Sequence, residues 1–146
     1  MHGLILAGGE GSRLAAEGVA EPKAAVRVAG QSQILRLLST CDLLGCETVT
    51  CMVRDVFPDV VADVEEARGA WGDRLRIVTC HTPSSLHTLA EGLREVPRGT
   101  VFCSMVDTVM PERDWTRVWI ESGQHLDAGA DAVLVVTPFV DDETPL

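Results

Sequence analysis

Positive charge is scarce in this sequence: 12 Lys and Arg stand against 22 Asp and Glu, for a formal net charge of -10. A nucleic-acid or anionic-membrane surface needs a local excess of Lys and Arg, so neither partner is expected. An anionic ligand must instead be met by a few placed cations or by a metal. Long hydrophobic runs are missing as well, and none approaches the roughly 18 residues of a membrane span. The opening MHGLILAGG has no cationic leader or cleavage site in the expected order, which makes a cytoplasmic protein the expectation. No two of the five cysteines, Cys41, Cys46, Cys51, Cys80 and Cys103, have the C-x-x-C spacing, and their number is odd. Neither a disulfide framework nor a zinc site is indicated, and reduced, mostly buried thiols are expected. His81 and His87 miss the common metal-ligand spacings. Internal repeats, low-complexity tracts and linkers are also absent, so 146 residues at 46% hydrophobic composition read as one domain over residues 1–146.

What is present is an alternation of short apolar runs with longer stretches of helical period, the pattern of β-α-β units. Strands are expected at 2–7, 48–53, 75–80, 100–106 and 131–137, with helices at 32–44, 58–70, 84–96 and 112–128. Gly45 closes the first helix, Pro58 opens the second, Ser84 or Ser85 caps the third and Pro111 opens the fourth. Ile34, Leu35, Leu37, Leu38, Cys41 and Leu44 form an apolar stripe suited to packing on a sheet. Because the strands lack polar alternation, helices are expected on both faces of a mostly parallel sheet, an α/β fold of three layers. Ligands of such sheets sit at the carboxyl ends of the strands, which selects the loops after Ala7, Val53, Cys80 and Val106.

The first of these loops reads GGEGSR. Gly8, Gly9 and Gly11 permit positive φ and close approach of backbone N–H groups to a ligand. A dinucleotide fingerprint is a poor match, since Leu14 stands where the third glycine belongs and no acid about 20 residues further on ends a second strand. A P-loop is a worse one, because no G-K-[ST] follows. Arg13 offers a planar fork for phosphate oxygens and Lys23 a compact point charge, with Pro22 fixing the backbone beside it. On residue types alone, a phosphate cradle and an ordinary β-to-helix turn with two solvated cations stand level.

Together, LAGGEGSRL and the following EPKAAVRVAGQSQI resemble the nucleotidyltransferase family. That family includes sugar-1-phosphate and molybdenum-cofactor nucleotidyltransferases and the cytidylyltransferases of isoprenoid synthesis. Its shared signature is L-[AG]-[AG]-G-x-G-[ST]-R-[LM] followed by P-K. The resemblance implies a Rossmann-like sheet of the nucleotide-diphospho-sugar transferase type. It also implies that backbone at Leu6, Ala7, Gly8, Gly9, Gly11 and Ser12 contacts base and phosphates, while Arg13 and Lys23 bind the triphosphate. In VFCSMVDTVMP, Asp107 stands where the family places an aspartate that binds Mg²⁺; a turn or helix-cap residue is the structural alternative. No D-x-D is present, which disfavours the glycosyltransferases of similar fold. A weaker match is TPSSLHTLAEGL, residues 82–93, similar to the S-V-x-x-G-L of the cytidylyltransferases. It implies that Ser85 and Thr88 lie near the base, although Ser85 replaces an Arg and helix capping is an equal reading.

The resemblance implies attack of a phosphorylated acceptor, with a sugar-1-phosphate favoured, on a nucleoside triphosphate, releasing pyrophosphate with Mg²⁺ as cofactor. Family members continue beyond a fifth strand with an inserted antiparallel strand and a second acidic metal ligand. Residues 108–146 supply no convincing counterpart, since Asp141, Asp142 and Glu143 cluster in a tail that reads as solvated. The chain therefore resembles the amino-terminal part of the fold. Two further expectations follow: a catalytically incomplete nucleotide-binding module as the alternative function, and an exposed apolar edge on strand 131–137 that invites pairing into a homo-oligomer.

Overall fold

The computed structural model describes residues 1–9, 15–19, 21–54 and 56–136. In chain order the elements are β1 (His2–Leu6), β2 (Arg27–Val28), β3 (Gln31–Ser32), α1 (Gln33–Leu43), β4 (Thr48–Val53) and α2 (Pro58–Trp71). A 3-10 turn at Gly72–Arg74 then leads to β5 (Leu75–Thr79), α3 (Ser85–Glu95), β6 (Val101–Met105) and α4 (Glu112–Asp127). One unit comprises Met1–Val109 and contains both sheets; a second comprises Met110–Leu146 and contains α4.

The larger sheet is parallel throughout, in the order β5-β4-β1-β6. Side-chain alternation along β1 divides the core between its two faces. Leu4 and Leu6 lie on one face, clustered with Met52 and Cys80 and packed by Leu89 of α3. This approach is close: a Cβ on Gly92 would stand 2.7 Å from Leu4 Cδ1 and 3.2 Å from Met52 Cγ, so only glycine lets α3 lie at this depth. Gly3 faces the other way, where its missing side chain leaves room for Cys41 of α1 and for Val49. Helix α1 packs in turn against α2. The result is the expected three-layer arrangement, with α1 and α2 on one face and α3 on the other.

Local signals in the sequence account for the helix ends. Pro58 occupies the first turn of α2, where its missing N–H costs nothing. After α1, Gly45 adopts φ +74, its N–H bonds to Asp42 O at 3.0 Å and that of Cys46 bonds to Cys41 O at 2.9 Å. These two bonds satisfy carbonyls that the helix itself leaves open. They also bring the Cys41 and Cys46 side chains together under Gly3, and hydrogen bonding between the thiols pushes Cys41 up and draws Cys46 down. Four of the five thiols are buried, Cys103 is exposed, and all are free; burial pushes Cys51 up to about 12.

One expectation needs correction, and the exposed sheet edge expected on the same segment falls with it. The segment 131–136 is not a strand: it has no ladder partner among the described residues, and Leu134 is 85% exposed and Val136 69% exposed. An extended segment without a neighbour gains no ladder bonds to offset its ordering entropy; Thr137 lies outside the described residues. Of the two serines expected to cap α3, Ser84 holds the cap, and it works through backbone, with Thr88 N–H bonding Ser84 O at 3.1 Å. The Ser84 hydroxyl is hydrogen-bonded with His87 Nδ1 at 2.8 Å instead.

Candidate active site

Parallel strands end together, so the loops that leave their carboxyl ends are neighbours however far apart they lie in sequence. The last rungs are Ala7 N–H to Met52 O at 2.9 Å, Cys80 N–H to Val53 O at 2.8 Å and Val106 N–H to Leu6 O at 3.2 Å. Just beyond them lie Gly8, Arg54, His81 and Asp107. The strand order also reverses at β1, since the chain steps from β1 to β4 to β5 and then returns across the sheet to β6. Such a reversal opens a crevice at the strand ends, the usual ligand position in open α/β sheets.

Lys23 and Asp107 meet in this crevice. The Lys23 ammonium forms an ion pair with Asp107 Oδ2, and each side chain is 35% exposed. The turn around Lys23 is held by Ala25 N–H to Pro22 O at 2.8 Å and by Ile34 N–H to Ala24 O at 3.1 Å, with Ala24 buried beneath. Asp107 sits in a turn closed by Thr108 N–H to Met105 O at 3.1 Å. A pair this exposed contributes about 0–1 kcal/mol, so exchanging it for ligand contacts costs little.

Leu6 and Ala7 are buried in the strand end, and Gly8 and Gly9 form the lip of the crevice. Among the described residues, a Cβ on Gly9 would meet nothing within 4 Å, whereas one on Gly8 would meet Cys80 Sγ at 3.4 Å, Arg54 Cγ at 3.8 Å and Thr88 Cγ2 at 3.9 Å. Gly11, Ser12 and Arg13 lie outside the described residues, as do Asp141, Asp142 and Glu143. Ser85 is exposed in the first turn of α3. Thr88 is buried; its hydroxyl lies 2.5 Å from Thr82 Oγ1 and 3.2 Å from Ser84 O. Burial raises the Cys80 thiol and Glu91 adds to that rise, while Arg54 and Thr88 oppose it.

Arg54, which follows β4 and passes beside Gly8, is a crevice residue that the sequence reading did not single out. The strand-end rule pointed to the loop after Val53 without singling out a residue there, yet the signal was a cation directly after six residues of apolar strand. For a metal, the described residues contain no group of three or more His, Cys, Asp or Glu able to hold one. A single carboxylate at a strand end fits Mg²⁺ nonetheless, because that ion is typically held by one or two carboxylates together with substrate phosphates and water.

The fold is an open parallel α/β domain with a crevice at the switch in strand order. A family model described as MobA-like NTP transferase domain matches residues 3–144, and the chain belongs to that family. No curated protein sequence matches the chain. Among solved structures, it is similar to an inositol-1-phosphate CTP transferase from T. maritima, with TM-score 0.66 and 18% identity over 80% of this chain and 47% of that one. A nucleotidyl transferase from Methanothermobacter gives TM-score 0.61 at 22% identity, covering 82% of this chain and 56% of that one. A nucleoside-diphosphate-sugar pyrophosphorylase from Vibrio cholerae RC9 gives 0.57 at 21%, covering 80% and 53%. These likenesses show the fold, and the chain spans about half the length of each. Among the described residues, no helix is long and apolar enough to cross a membrane.

Proposed function

We propose that this chain binds a nucleoside triphosphate with Mg²⁺ and carries the substrate-binding half of a nucleotidyltransferase, with a sugar-1-phosphate as the favoured acceptor. The observation that supports this most is the meeting of Lys23 and Asp107 beside the glycine turn, because a polyphosphate with its metal needs one group of each sign at one place. In the proposed reaction an acceptor phosphate oxygen forms a bond to the α-phosphorus while the bond to the bridging oxygen breaks, and pyrophosphate leaves. The acceptor is already ionised near neutral pH, so the chain supplies position and charge rather than a general base.

Lys23 is assigned to the α-phosphate and the incoming acceptor, Arg13 to the departing pyrophosphate and Asp107 to the metal. Bound there, Mg²⁺ would neutralise charge on the phosphate oxygens. Backbone from Leu6 to Ser12, with Ser85 and Thr88 at α3, is assigned to the nucleoside. A second reading is a nucleotide-binding module without turnover. The test is pyrophosphate release with each nucleoside triphosphate against a panel of sugar-1-phosphates. Release that falls by orders of magnitude in Arg13→Ala and in Lys23→Ala is the expected result, whereas unchanged release in both would sink the assignment. Nucleotide binding without any release favours the binding module. We also propose self-association through the outer edge of the larger sheet, where β6 has β1 as its one ladder partner among the described residues.

A further inference from the structure

At the amino end of the larger sheet, away from the crevice, two thiols share one small space. Cys41 lies in the last turn of α1, and Cys46 directly follows Gly45, whose positive φ ends that helix. The bond from Cys46 N–H to Cys41 O, at 2.9 Å, ties their backbones together. With ordinary bond lengths, this contact leaves the two Cα atoms no more than about 6.8 Å apart, inside the range that a disulfide bridges. The side chains converge as well: a Cβ on Gly3 would stand 3.0 Å from Cys41 Sγ and 3.5 Å from Cys46 Sγ. Glycine weakens a strand interior and marks close approach of a neighbour. In β1, two of the three atoms nearest that position are sulfurs.

A helix that closes on a glycine commonly brings two apolar side chains into contact at these positions. Here both positions carry thiols, and the pair is chemically unequal. Hydrogen bonding to Cys46, then burial, pushes Cys41 up, while the same hydrogen bond draws Cys46 down. Cys41 thus keeps its proton, and Cys46 supplies the thiolate, the nucleophilic form. Cys46 is 3% exposed, but Gly45 and Glu47 on either side of it are exposed, so fraying of the last helical turn admits a small oxidant. Cys51 is a poorer partner for Cys41, because it is completely buried within β4 and burial pushes its thiol up to about 12.

We propose that Cys41 and Cys46 form a peroxide-sensitive pair that closes into a reversible disulfide and locks the end of α1 to the chain entering β4. The Cys46 thiolate attacks one oxygen of hydrogen peroxide, the O–O bond breaks, and the other oxygen takes up a proton and leaves as water. The Cys41 sulfur then attacks the Cys46 sulfenic acid; the S–S bond forms, the S–O bond breaks, and the hydroxyl leaves with the Cys41 proton as a second water. Two thiols are oxidised, and one hydrogen peroxide is reduced to two waters. The pair works in this way whether or not the chain transfers nucleotides.

The test exposes the folded native chain to hydrogen peroxide in modest excess and maps the product by mass spectrometry without reduction. Cleavage after Arg36 and Glu47 separates Cys41 and Cys46 from the other three cysteines. That peptide is expected to lose two hydrogens and to regain them with dithiothreitol. Cys41→Ser is expected to stop the reaction at a Cys46 sulfenic acid that dimedone captures, and Cys46→Ser to leave Cys41 a free thiol. The mapping on the native chain carries the test if either variant fails to fold. The oxidised chain is expected to melt at a higher temperature than the reduced one, since the bridge restricts the unfolded chain. A peptide that keeps both thiols overturns the proposal, as does a disulfide that joins Cys41 or Cys46 to another cysteine or that forms only in denaturant. An oxidised chain that melts no higher than the reduced one overturns the lock.

Discussion

Lys23 and Asp107 are each other's counter-ion until a ligand takes their place. A divalent ion arriving alone must compete with the ammonium for the carboxylate, whereas phosphates draw the ammonium away as they bring the ion in. Lys23→Gln is therefore expected to strengthen binding of Mn²⁺ alone, read by electron paramagnetic resonance, and to weaken binding of tripolyphosphate. A fall in Mn²⁺ affinity would contradict this. Removing so exposed a pair is expected to change unfolding free energy by no more than about 1 kcal/mol. Both residues were legible in the sequence, because LAGGEGSRL with EPK, and an Asp directly after an apolar strand, are local patterns. Their pairing was not, since it depends on strand order and no local pattern records which strands are neighbours. Arg54 stayed hidden for a related reason: only the approach of Gly8 from another strand shows what surrounds it.

Among the elements, α3 depends on Gly92 for its closeness to β1. Gly92→Ala would place a methyl group 2.7 Å from Leu4 Cδ1 and 3.2 Å from Met52 Cγ, and both side chains are completely buried. The expected destabilisation is about 1–3 kcal/mol by denaturant unfolding, and an unchanged midpoint would refute the packing described. Helix α2 is tied to β5 by Arg68, whose Nε donates to Glu65 Oε2 at 2.7 Å and whose Nη1 donates to Leu75 O at 3.2 Å. Hydrogen bonding to Arg68 lowers the Glu65 pKa. A depressed carboxylate stabilises the fold above its unfolded pKa, and the contribution disappears as pH falls through the folded value. Glu65→Gln is accordingly expected to lower the Tm slightly at neutral pH and to match the native chain in acid, below the depressed pKa; a difference that grows toward acid would reverse the sign. The helices were legible from period and caps. The β2–β3 hairpin was not, because two-residue strands are too short to alternate visibly; its turn is recorded in positive φ at Ala29 and Gly30. The segment 131–136 misled for the opposite reason, since DAVLVV has strand composition but no ladder neighbour among the described residues.

For the whole molecule, association through β6 predicts that the scattering mass rises with protein concentration. A strict monomer at both low and high concentration would count against it. Overall architecture was legible because each β-α-β step leaves its own period in the sequence, while the order of strands had to come from the structure. That order also bears on how the chain is made. Strand β1, which precedes every other described strand, is an inner strand of the sheet, with Gly3 set against Val49 on one side and against Phe102 on the other. A ribosome has therefore to continue as far as Val101–Met105 before HGLIL can complete both its ladders. Until then one side of that apolar strand waits unpaired, a long-range closure of the kind that slows folding and leaves nascent chains open to aggregation.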